Sequence, residues 1–306
     1  MDRDSLEKQF FKVNVSKYVP DKSFDVYRPA SLDYPKDNAV MFITEKFIDR
    51  ASIFEIVNEC LIFWPVSQAV PTEIQEKNAV CVIDNPSNAF ANFFVENRIS
   101  NQPSIEEVDI INGTYIERGA IIGENCVIFP GAYIGADVHI GNGCFVGAGV
   151  KIIGIVNIGN NVVIRENSVI GADGLTDNRE INGKALTIPQ FGAVKISDDV
   201  QIGANVVIAR GAIDSTTIGR GSKIDNSCFI SHNVSIGEDT FIVGETIMFG
   251  SSSLGNRVTV SGNVTISNYV HVGDDCLIGQ SSMLNKSIPS GKIAFGNPAK
   301  VIRDNI

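Results

Sequence analysis

The chain has 306 residues and a formal net charge of −10, with 25 Lys and Arg against 35 Asp and Glu. Since nucleic-acid binding needs clustered cations to neutralise phosphates, this balance argues against a broad nucleic-acid interface. No apolar run reaches the roughly 18 residues that a membrane-spanning helix needs. The charged start Met1–Ser5 also lacks the apolar stretch of a signal peptide. We therefore expect a cytoplasmic protein with no membrane span and no nucleic-acid partner.

Residues 1–105 show no six-residue period and alternate short apolar runs with amphipathic stretches. Three runs predict buried strands, namely Val40–Ile43, Cys60–Trp64 and Ala79–Ile83. Two further stretches predict helices, Phe47–Asn58 and Ser87–Val95, the second preceded by Asn85 and Pro86 as a start signal. We interpret 1–105 as a small α/β domain that serves as a cap or a substrate-recognition module.

Residues 106–306 carry an internal repeat in which an aliphatic residue recurs every six positions. The series runs from Ile110 to Ile170, resumes from Ile196 to Ile208, and continues from Ile218 to Leu284. The fifth position of each hexad is small or β-branched, and the second is often Gly, which suits tight corners. Three such hexads close a triangular coil, so the pattern predicts a mainly β chain with a left-handed parallel β-helix.

The six cysteines show no CxxC spacing, so the sequence predicts no zinc or other metal site. Four of them occupy the fifth hexad position: Cys126, Cys144, Cys228 and Cys276. We predict that these four are small buried core residues and not catalytic thiols.

The repeat is interrupted at 173–195, where Asp173–Val194 leaves the coil and returns. An insertion between repeats forms a loop on one face, often the binding face. Its polar content suggests an excursion toward a neighbouring subunit. Because the flat faces of such prisms commonly associate, we expect a homotrimer.

Three histidines are present, and only His232 has features of a catalytic base. His139 and His271 lie in ordinary hexad contexts that favour a structural or surface role. His232 lies at an outward corner position, where an unperturbed imidazole suits a general base. One coil is about 18 residues, so Gly250 is expected to stack on His232 and to offer its N–H to an oxyanion. Asp225 and Asn233 are the candidate residues that orient the imidazole.

The C-terminal segment is locally basic, with Lys286, Lys292, Lys300 and Arg303 against Asp304, a local net charge of +3. This contrasts with the acidic chain. It predicts a contact with the phosphates of a cofactor or with an acidic carrier protein; a solvated end is the alternative.

Four motifs resemble the UDP-3-O-acylglucosamine N-acyltransferases, which attach an acyl chain to an amino sugar in lipid A synthesis. They are Ile-Gly-Ala-Asp-Gly at 170–174, Ile-Pro-Gln-Phe-Gly at 188–192, the stretch from Arg210 to Gly219, and the stretch from Ile224 to Asn233. The resemblance implies that His232 is the catalytic base and Gly250 the oxyanion amide. It also implies a uridine-recognition domain over 1–105, with Phe42 and Phe47 contacting the nucleotide.

The end of the chain resembles a different group, the sugar acetyltransferases that use acetyl-CoA. By that likeness Asn297, Ala299, Lys300 and Arg303 would bind the cofactor. The sequence thus predicts acyl transfer from a thioester to the amine of a nucleotide-linked amino sugar. Acyl-CoA is the expected donor, with acetyl-CoA favoured, and acyl carrier protein is the alternative. A non-catalytic β-helix binding module is a further alternative.

Overall fold

The six-residue repeat folds into a left-handed parallel β-helix, described here by a computed structural model that covers residues 8–99, 107–179 and 183–305. Strands of successive coils pair in parallel and in register, as Ile134 does with Ile152. Each coil passes through three sheets, which we call faces 1, 2 and 3 in chain order. The boundary predicted between residues 105 and 106 lies outside the described residues.

The strands of the three faces are short and regularly spaced. Face 1 contains Val108–Ile111, Thr114–Glu117, Tyr133–Ile134, Lys151–Ile152, Val169–Ala172, Val207–Ala209, Phe229–Ile230, Ile247–Met248, Thr265–Ile266 and Met283–Leu284. Face 2 contains Ile121–Ile122, Val138–Ile140, Val156–Ile158, Val194–Ile196, Thr216–Ile218, Ser235–Ile236, Ser253–Leu254 and His271–Val272. Face 3 contains Val127–Ile128, Phe145–Val146, Val163–Ile164, Gln201–Ile202, Lys223–Ile224, Phe241–Ile242, Thr259–Val260, Leu277–Ile278, Lys292–Gly296 and Ala299–Asp304.

The aliphatic residue that begins each hexad points inward, and these residues form one continuous core. On face 1, Ile134, Ile152 and Ile170 stack without exposed surface. Burial of apolar area contributes about 25 cal/mol per Å², so this ladder is the main stabilising element of the helix. The predicted fold class is confirmed.

Ile110 departs from the predicted repeat. Its strand, Val108–Ile111, runs antiparallel to Thr114–Glu117, and its side chain is 66% exposed. The prediction that Ile110 begins the inward ladder is therefore wrong. The first coil has no coil beneath it, and a hairpin covers the strand edge that would otherwise be free.

The cysteines at the fifth hexad position are core residues, as predicted for Cys144, Cys228 and Cys276, which are buried. Cys126 is half-buried and packs against the same core. Burial raises the pKa of the Cys144 and Cys228 thiols to about 11, which keeps them protonated and unreactive at neutral pH.

The N-terminal part is a small α/β domain. Its four-stranded parallel sheet has the order Arg28–Pro29, Ala39–Phe42, Leu61–Pro65, Ala79–Ile83. Two α-helices, Thr72–Lys77 and Pro86–Glu96, accompany the sheet with two 3-10 helices, Val15–Lys17 and Glu45–Glu55, and an antiparallel pair, Val13–Asn14 with Asp25–Val26. The predicted strands are present, and Ser87–Val95 lies within the second helix. The stretch predicted as a helix at Phe47–Asn58 is instead largely the 3-10 helix, which is kinked at Phe47.

The insertion forms a hairpin of Asp177–Arg179 with Ala185–Thr187, and Val194 then rejoins face 2 beside Val156. Between these elements Ile188 and Phe191 enter the core of the α/β domain. The Phe191 ring lies 5.0 Å from Phe10 and 5.2 Å from Phe94, measured between centroids. The sequence analysis expected this insertion to reach a neighbouring subunit. In the structure its buried side chains pack into the α/β domain of its own chain.

The C-terminal segment is an ordered hairpin. Lys292–Gly296 pairs in parallel with Leu277–Ile278, and Ala299–Asp304 folds back antiparallel beside it. Ala294 and Ala299 pack against the β-helix core, so the hairpin covers the last coil. Among the helices that the structure describes, none has the length and apolar character to cross a bilayer.

Candidate active site

The candidate site lies at the corner where the chain turns from face 1 to face 2. Ile230 and Met248 are paired on face 1, so the residues two positions later, His232 and Gly250, stack one coil apart. This is the stacking predicted from the repeat length. We call the column of Arg210, His232 and Gly250 the His232 corner.

The imidazole of His232 is held by Asn233, the next residue along the chain. Nδ1 of His232 lies 3.0 Å from Oδ1 of Asn233. The same Oδ1 accepts a hydrogen bond from the Ala212 N–H at 3.0 Å, which identifies it as the oxygen of the amide group. Because an amide oxygen only accepts, Nδ1 is the donor in this contact, and the neutral form of a ring held in this way has its lone pair on Nε2. His232 is thereby set up as a base at Nε2.

Asn233 can reach back to its neighbour because its backbone takes a φ of 59°. Asn is among the residues that tolerate this left-handed conformation. Its N–H donates to Oγ1 of the buried Thr216 at 2.9 Å, which anchors the turn. The sequence named Asn233 as a candidate orienting residue, and in the structure its Oδ1 contacts Nδ1 of His232.

Two glycines confine the His232 ring. A Cβ atom at Gly250 would stand 2.5 Å from Cε1 and 2.7 Å from Nε2 of His232. A Cβ atom at Gly174 would stand 2.9 Å from the His232 Cβ and 3.0 Å from Cδ2. A side chain at either position would force His232 to shift, so the imidazole occupies a slot between two side-chain-free positions. The sequence indicated only Gly250; Gly174, the last residue of the motif at 170–174, was missed.

The Gly250 N–H differs from its equivalents at another corner. Between faces 2 and 3, the N–H of Glu238 donates to Oδ1 of Asn256, and that of Asn256 donates to Oδ1 of Asp274, each at 2.8 Å. Across residues 8–99, 107–179 and 183–305, the Gly250 N–H has no protein acceptor. Gly250 is buried beside the imidazole. A donor left in this way beside a base is suited to a ligand oxygen.

Arg210, at the same corner, is a second residue that the sequence did not single out. Its buried guanidinium donates from Nε to the Gly192 carbonyl at 2.8 Å, and its Nη1 lies 4.0 Å from Oδ1 of Asp173. Burial lowers its pKa, and Asp173 opposes that shift. Arg210 therefore connects the two ends of the insertion beside His232.

Asp225 is not brought to His232. Its Oδ2 accepts from the Gly244 N–H at 3.2 Å, and it lines a cleft of about 480 Å³ with Arg165 and Lys223 on face 3. Asp225 follows Ile224 on face 3, whereas His232 follows Ile230 on face 1, so the two residues lie at different corners of the prism.

The proposed nucleotide contacts lie in the α/β domain. Phe42 is half-buried, with its ring centroid 4.9 Å from that of Phe90. Phe47 is 41% exposed, and Nζ of Lys46 lies 5.2 Å from the centre of its ring. Phe47 thus has an accessible aromatic surface, whereas Phe42 belongs mainly to the domain core.

The proposed cofactor contacts belong to the C-terminal hairpin. Asn297 lies in its turn, Ala299 packs inward, and Lys300 and Arg303 are exposed. The hairpin begins three coils beyond the face 3 strand that follows His232, which is about 15 Å at the usual strand spacing of ~4.8 Å. These residues are therefore separated from the His232 corner along the helix axis.

The other histidines have structural surroundings. Nδ1 of the exposed His271 lies 2.8 Å from Oγ of Ser253 on face 2, and His139 is half-buried in a strand of the same face. Within the described parts of the chain, no three His, Cys, Asp or Glu side chains are grouped to hold a metal ion.

Comparison with known proteins points to one group of transferases. The family model "Bacterial transferase hexapeptide (six repeats)" matches residues 119–154, and "Hexapeptide repeat of succinyl-transferase" matches residues 193–231. A curated UDP-3-O-acylglucosamine N-acyltransferase from Methylobacterium nodulans is 42% identical over 143 residues, or 47% of this chain and 40% of the relative. One from Coxiella burnetii is 38% identical over 126 residues, 41% of this chain and 37% of the relative.

The chain resembles the UDP-3-O-acylglucosamine N-acyltransferases. It matches well under half the length of those curated relatives. Among solved structures, a UDP-N-acetylglucosamine acyltransferase from Campylobacter jejuni aligns with a TM-score of 0.57 and 26% identity. One from Bacteroides fragilis aligns with 0.57 and 27%. Each alignment covers 64% of this chain and 75% of the other, and supports the left-handed β-helix.

Proposed function

We propose that this protein is an N-acyltransferase that moves an acyl group from a thioester to the amine of a nucleotide-linked amino sugar. One observation carries the proposal: Nδ1 of His232 lies against Oδ1 of Asn233, which leaves Nε2 to act as the base, and the adjacent Gly250 N–H has no acceptor among the described residues. The curated relatives are named for this reaction on UDP-3-O-acylglucosamine. The reaction, the substrates and the roles of His232 and Gly250 are parts of this proposal.

The chemistry follows from the two groups. The amine nitrogen attacks the thioester carbon, and a C–N bond forms while the carbonyl oxygen becomes an oxyanion. His232 Nε2 takes the proton that the nitrogen loses, and the Gly250 N–H donates to the oxyanion. When the tetrahedral intermediate collapses, the C–S bond breaks, and the imidazolium returns the proton to the thiolate. The thioester is already activated, so no covalent enzyme intermediate is required.

The acceptor and donor sites form the finer part of the proposal. The α/β domain would hold the nucleotide, with the exposed ring of Phe47 stacking on the base and Phe42 supporting it. The acyl donor would be a thioester of coenzyme A or of a carrier protein. The relatives and solved structures named above carry acyltransferase names, and these give no support to the preference for acetyl-CoA expected from the C-terminal segment. Homotrimeric association also remains part of the proposal.

The test is transfer by the purified chain, with UDP-3-O-acylglucosamine as the acceptor and UDP-N-acetylglucosamine, whose nitrogen is already acylated, as the negative control. Acetyl-CoA, a long-chain acyl-CoA and an acyl carrier protein thioester would serve as donors. We expect transfer to the free amine, and His232→Ala should lower kcat at least ~100-fold, as loss of a general base does. His271→Ala is the matched control, because that histidine lies on face 2 and contacts Ser253. Equal rates for wild type and His232→Ala would overturn the mechanism.

A non-catalytic binding module is the competing function, and the same preparation distinguishes it. Such a module would bind UDP-amino sugar in calorimetry but transfer no acyl group from any of the three donors. His232→Ala would then leave its only function, binding of the nucleotide sugar, intact.

A further inference from the structure

Loop 211–215 is the place where three parts of the chain meet. Its Ile213 packs against the core of the α/β domain. The insertion binds the loop through its backbone, since the Phe191 N–H donates to the Ala212 carbonyl at 2.7 Å. The loop also contacts the residue next to His232, through the hydrogen bond from the Ala212 N–H to Asn233 Oδ1. A shift of this loop would therefore move Asn233, the residue that contacts Nδ1 of His232.

The loop is tied to the α/β domain by one polar contact. Ser31 Oγ donates to Asp214 Oδ1 at 2.9 Å, and both groups are partly buried. The same Oγ accepts from the N–H groups of Asp33 at 3.2 Å and Tyr34 at 3.1 Å. Ser31 is thus held in place by its own turn, and its hydroxyl proton is directed at Asp214.

The backbone of Asp214 continues the path toward the active site. Its carbonyl oxygen accepts from Nδ2 of Asn233 at 3.5 Å. A Cβ atom would lie 1.6 Å from that oxygen if added to Gly211, and 2.0 Å from it if added to Gly192. The Asp214 carbonyl is therefore wedged between two glycines and the Asn233 amide group, and it has little freedom to move unless the whole loop moves.

We infer that Ser31 and Asp214 are positioning residues, through which the α/β domain sets the orientation of Asn233 and hence of His232. The inference rests on the proposed function, because it assigns these residues to the base of that reaction. It accounts for a buried carboxylate that the chemistry of transfer does not use. It also gives a role to the motif from Arg210 to Gly219, in which Asp214 lies.

Burial gives further support. It raises the pKa of Asp214 to about 6, the Ser31 hydrogen bond opposes this shift, and the nearby Asp33 adds to it. Burying a carboxyl group costs free energy, and such groups usually have a specific hydrogen-bond partner. For Asp214 that partner is Ser31 in the α/β domain.

The test uses the full chain labelled with ¹⁵N-histidine. The chain has three histidines, so the His232 ring nitrogens can be assigned by comparison with His232→Ala. In wild type, we expect a protonated Nδ1 and an unprotonated Nε2 at pH 8. Ser31→Ala and Asp214→Leu should mix the two tautomers at His232 while the His139 and His271 signals stay unchanged. Asp214→Asn should restore the wild-type spectrum, because its amide oxygen still accepts from Ser31.

Kinetics provide a second readout. If the two residues act by orienting the base, Ser31→Ala should lower kcat about 10-fold and leave KM for the acceptor unchanged. Ser67→Ala is the control, since it removes a serine–carboxylate contact, to Glu45, inside the same domain but away from the loop. Unchanged His232 signals in folded Ser31→Ala would overturn the inference.

The spectrum separates the two proposals. Suppose that Ser31→Ala loses the tautomer preference of His232 but wild type shows no transferase activity. The role of Ser31 and Asp214 in orienting His232 would then be supported, and the proposed function would be wrong. If Asp214→Leu fails to fold, the milder Ser31→Ala, which removes a single oxygen, still decides the matter.

Discussion

The imidazole of His232 lies directly against the α-carbon of Gly250, with Nε2 only 2.7 Å from where a Cβ atom would be. The two residues are one coil apart, and the parallel register of face 1 determines their contact. The imidazole thus lies beside a backbone N–H that has no acceptor among the described residues, and the proposed acyl transfer to an amine needs such a pair of groups.

Gly250→Ala should lower kcat about 100-fold, because the new methyl group displaces the imidazole, and misplacement by about 1 Å can cost that much. The backbone N–H is retained, so the loss would report the position of the base. Gly262→Ala is the control: it has the same repeat position at another corner, and its nearest neighbour would be the Gly244 carbonyl oxygen at 3.5 Å. Steady-state kinetics measures both. Full activity in Gly250→Ala would contradict the slot described for His232.

Asn233→Gly should lower kcat at least ~10-fold, since the acceptor that fixes Nδ1 of His232 is lost while the left-handed backbone is preserved. The tautomer of His232 is then no longer fixed, so the ring-nitrogen signals of His232 in a ¹⁵N-histidine spectrum should change too. Asn263→Gly is the matched variant, with a φ of 56° at the same hexad position and an exposed side chain near Ser281. Unaltered His232 signals in folded Asn233→Gly would show that Asn233 does not orient the imidazole.

Phe191→Ala should lower the free energy of unfolding of the α/β domain by ~3 kcal/mol, the usual cost of removing a buried aromatic ring. The insertion should also exchange its amide hydrogens faster, because Phe191 and Ile188 are its buried attachments to that domain. Denaturant titration and hydrogen exchange measure the two effects. Leu175→Ala, at a side chain in the insertion that is 68% exposed, should leave both unchanged. Equal stability of the two variants would refute the packing of Phe191.

Asp214→Asn should become more stable relative to wild type as the pH rises. In the folded protein, burial raises the pKa of Asp214 from 3.8 to about 6. The folded state therefore holds this proton more tightly than the unfolded state, and wild type loses stability as the pH increases between these two values. Allowing for partial exposure, the difference between the variants should grow by ~2 kcal/mol from pH 4 to pH 7. Denaturation at both pH values measures it, and a constant difference would exclude the raised pKa.

The α/β domain shows where prediction from the sequence was weakest. Its strands were found because short apolar runs are a local signal. The stretch around Phe47 has helical composition but forms a kinked 3-10 helix, whose buried Phe54 packs against Trp64 of the sheet. In this stretch tertiary packing outweighs the local preference for an α-helix.

The amino-acid sequence by itself determined the β-helix, the inward position of Cys144 and Cys228, and the stacking of His232 under Gly250. All of these follow from a repeat whose contacts recur at a constant separation along the chain, so that counting residues is enough. Only the tertiary structure decided why Gly174 lacks a side chain and where Phe191 is buried. The contact of Ser31 with Asp214 also belongs to this group. These contacts join segments far apart in sequence. They depend on how the insertion and the α/β domain pack against the β-helix, and the six-residue repeat carries no information about that packing.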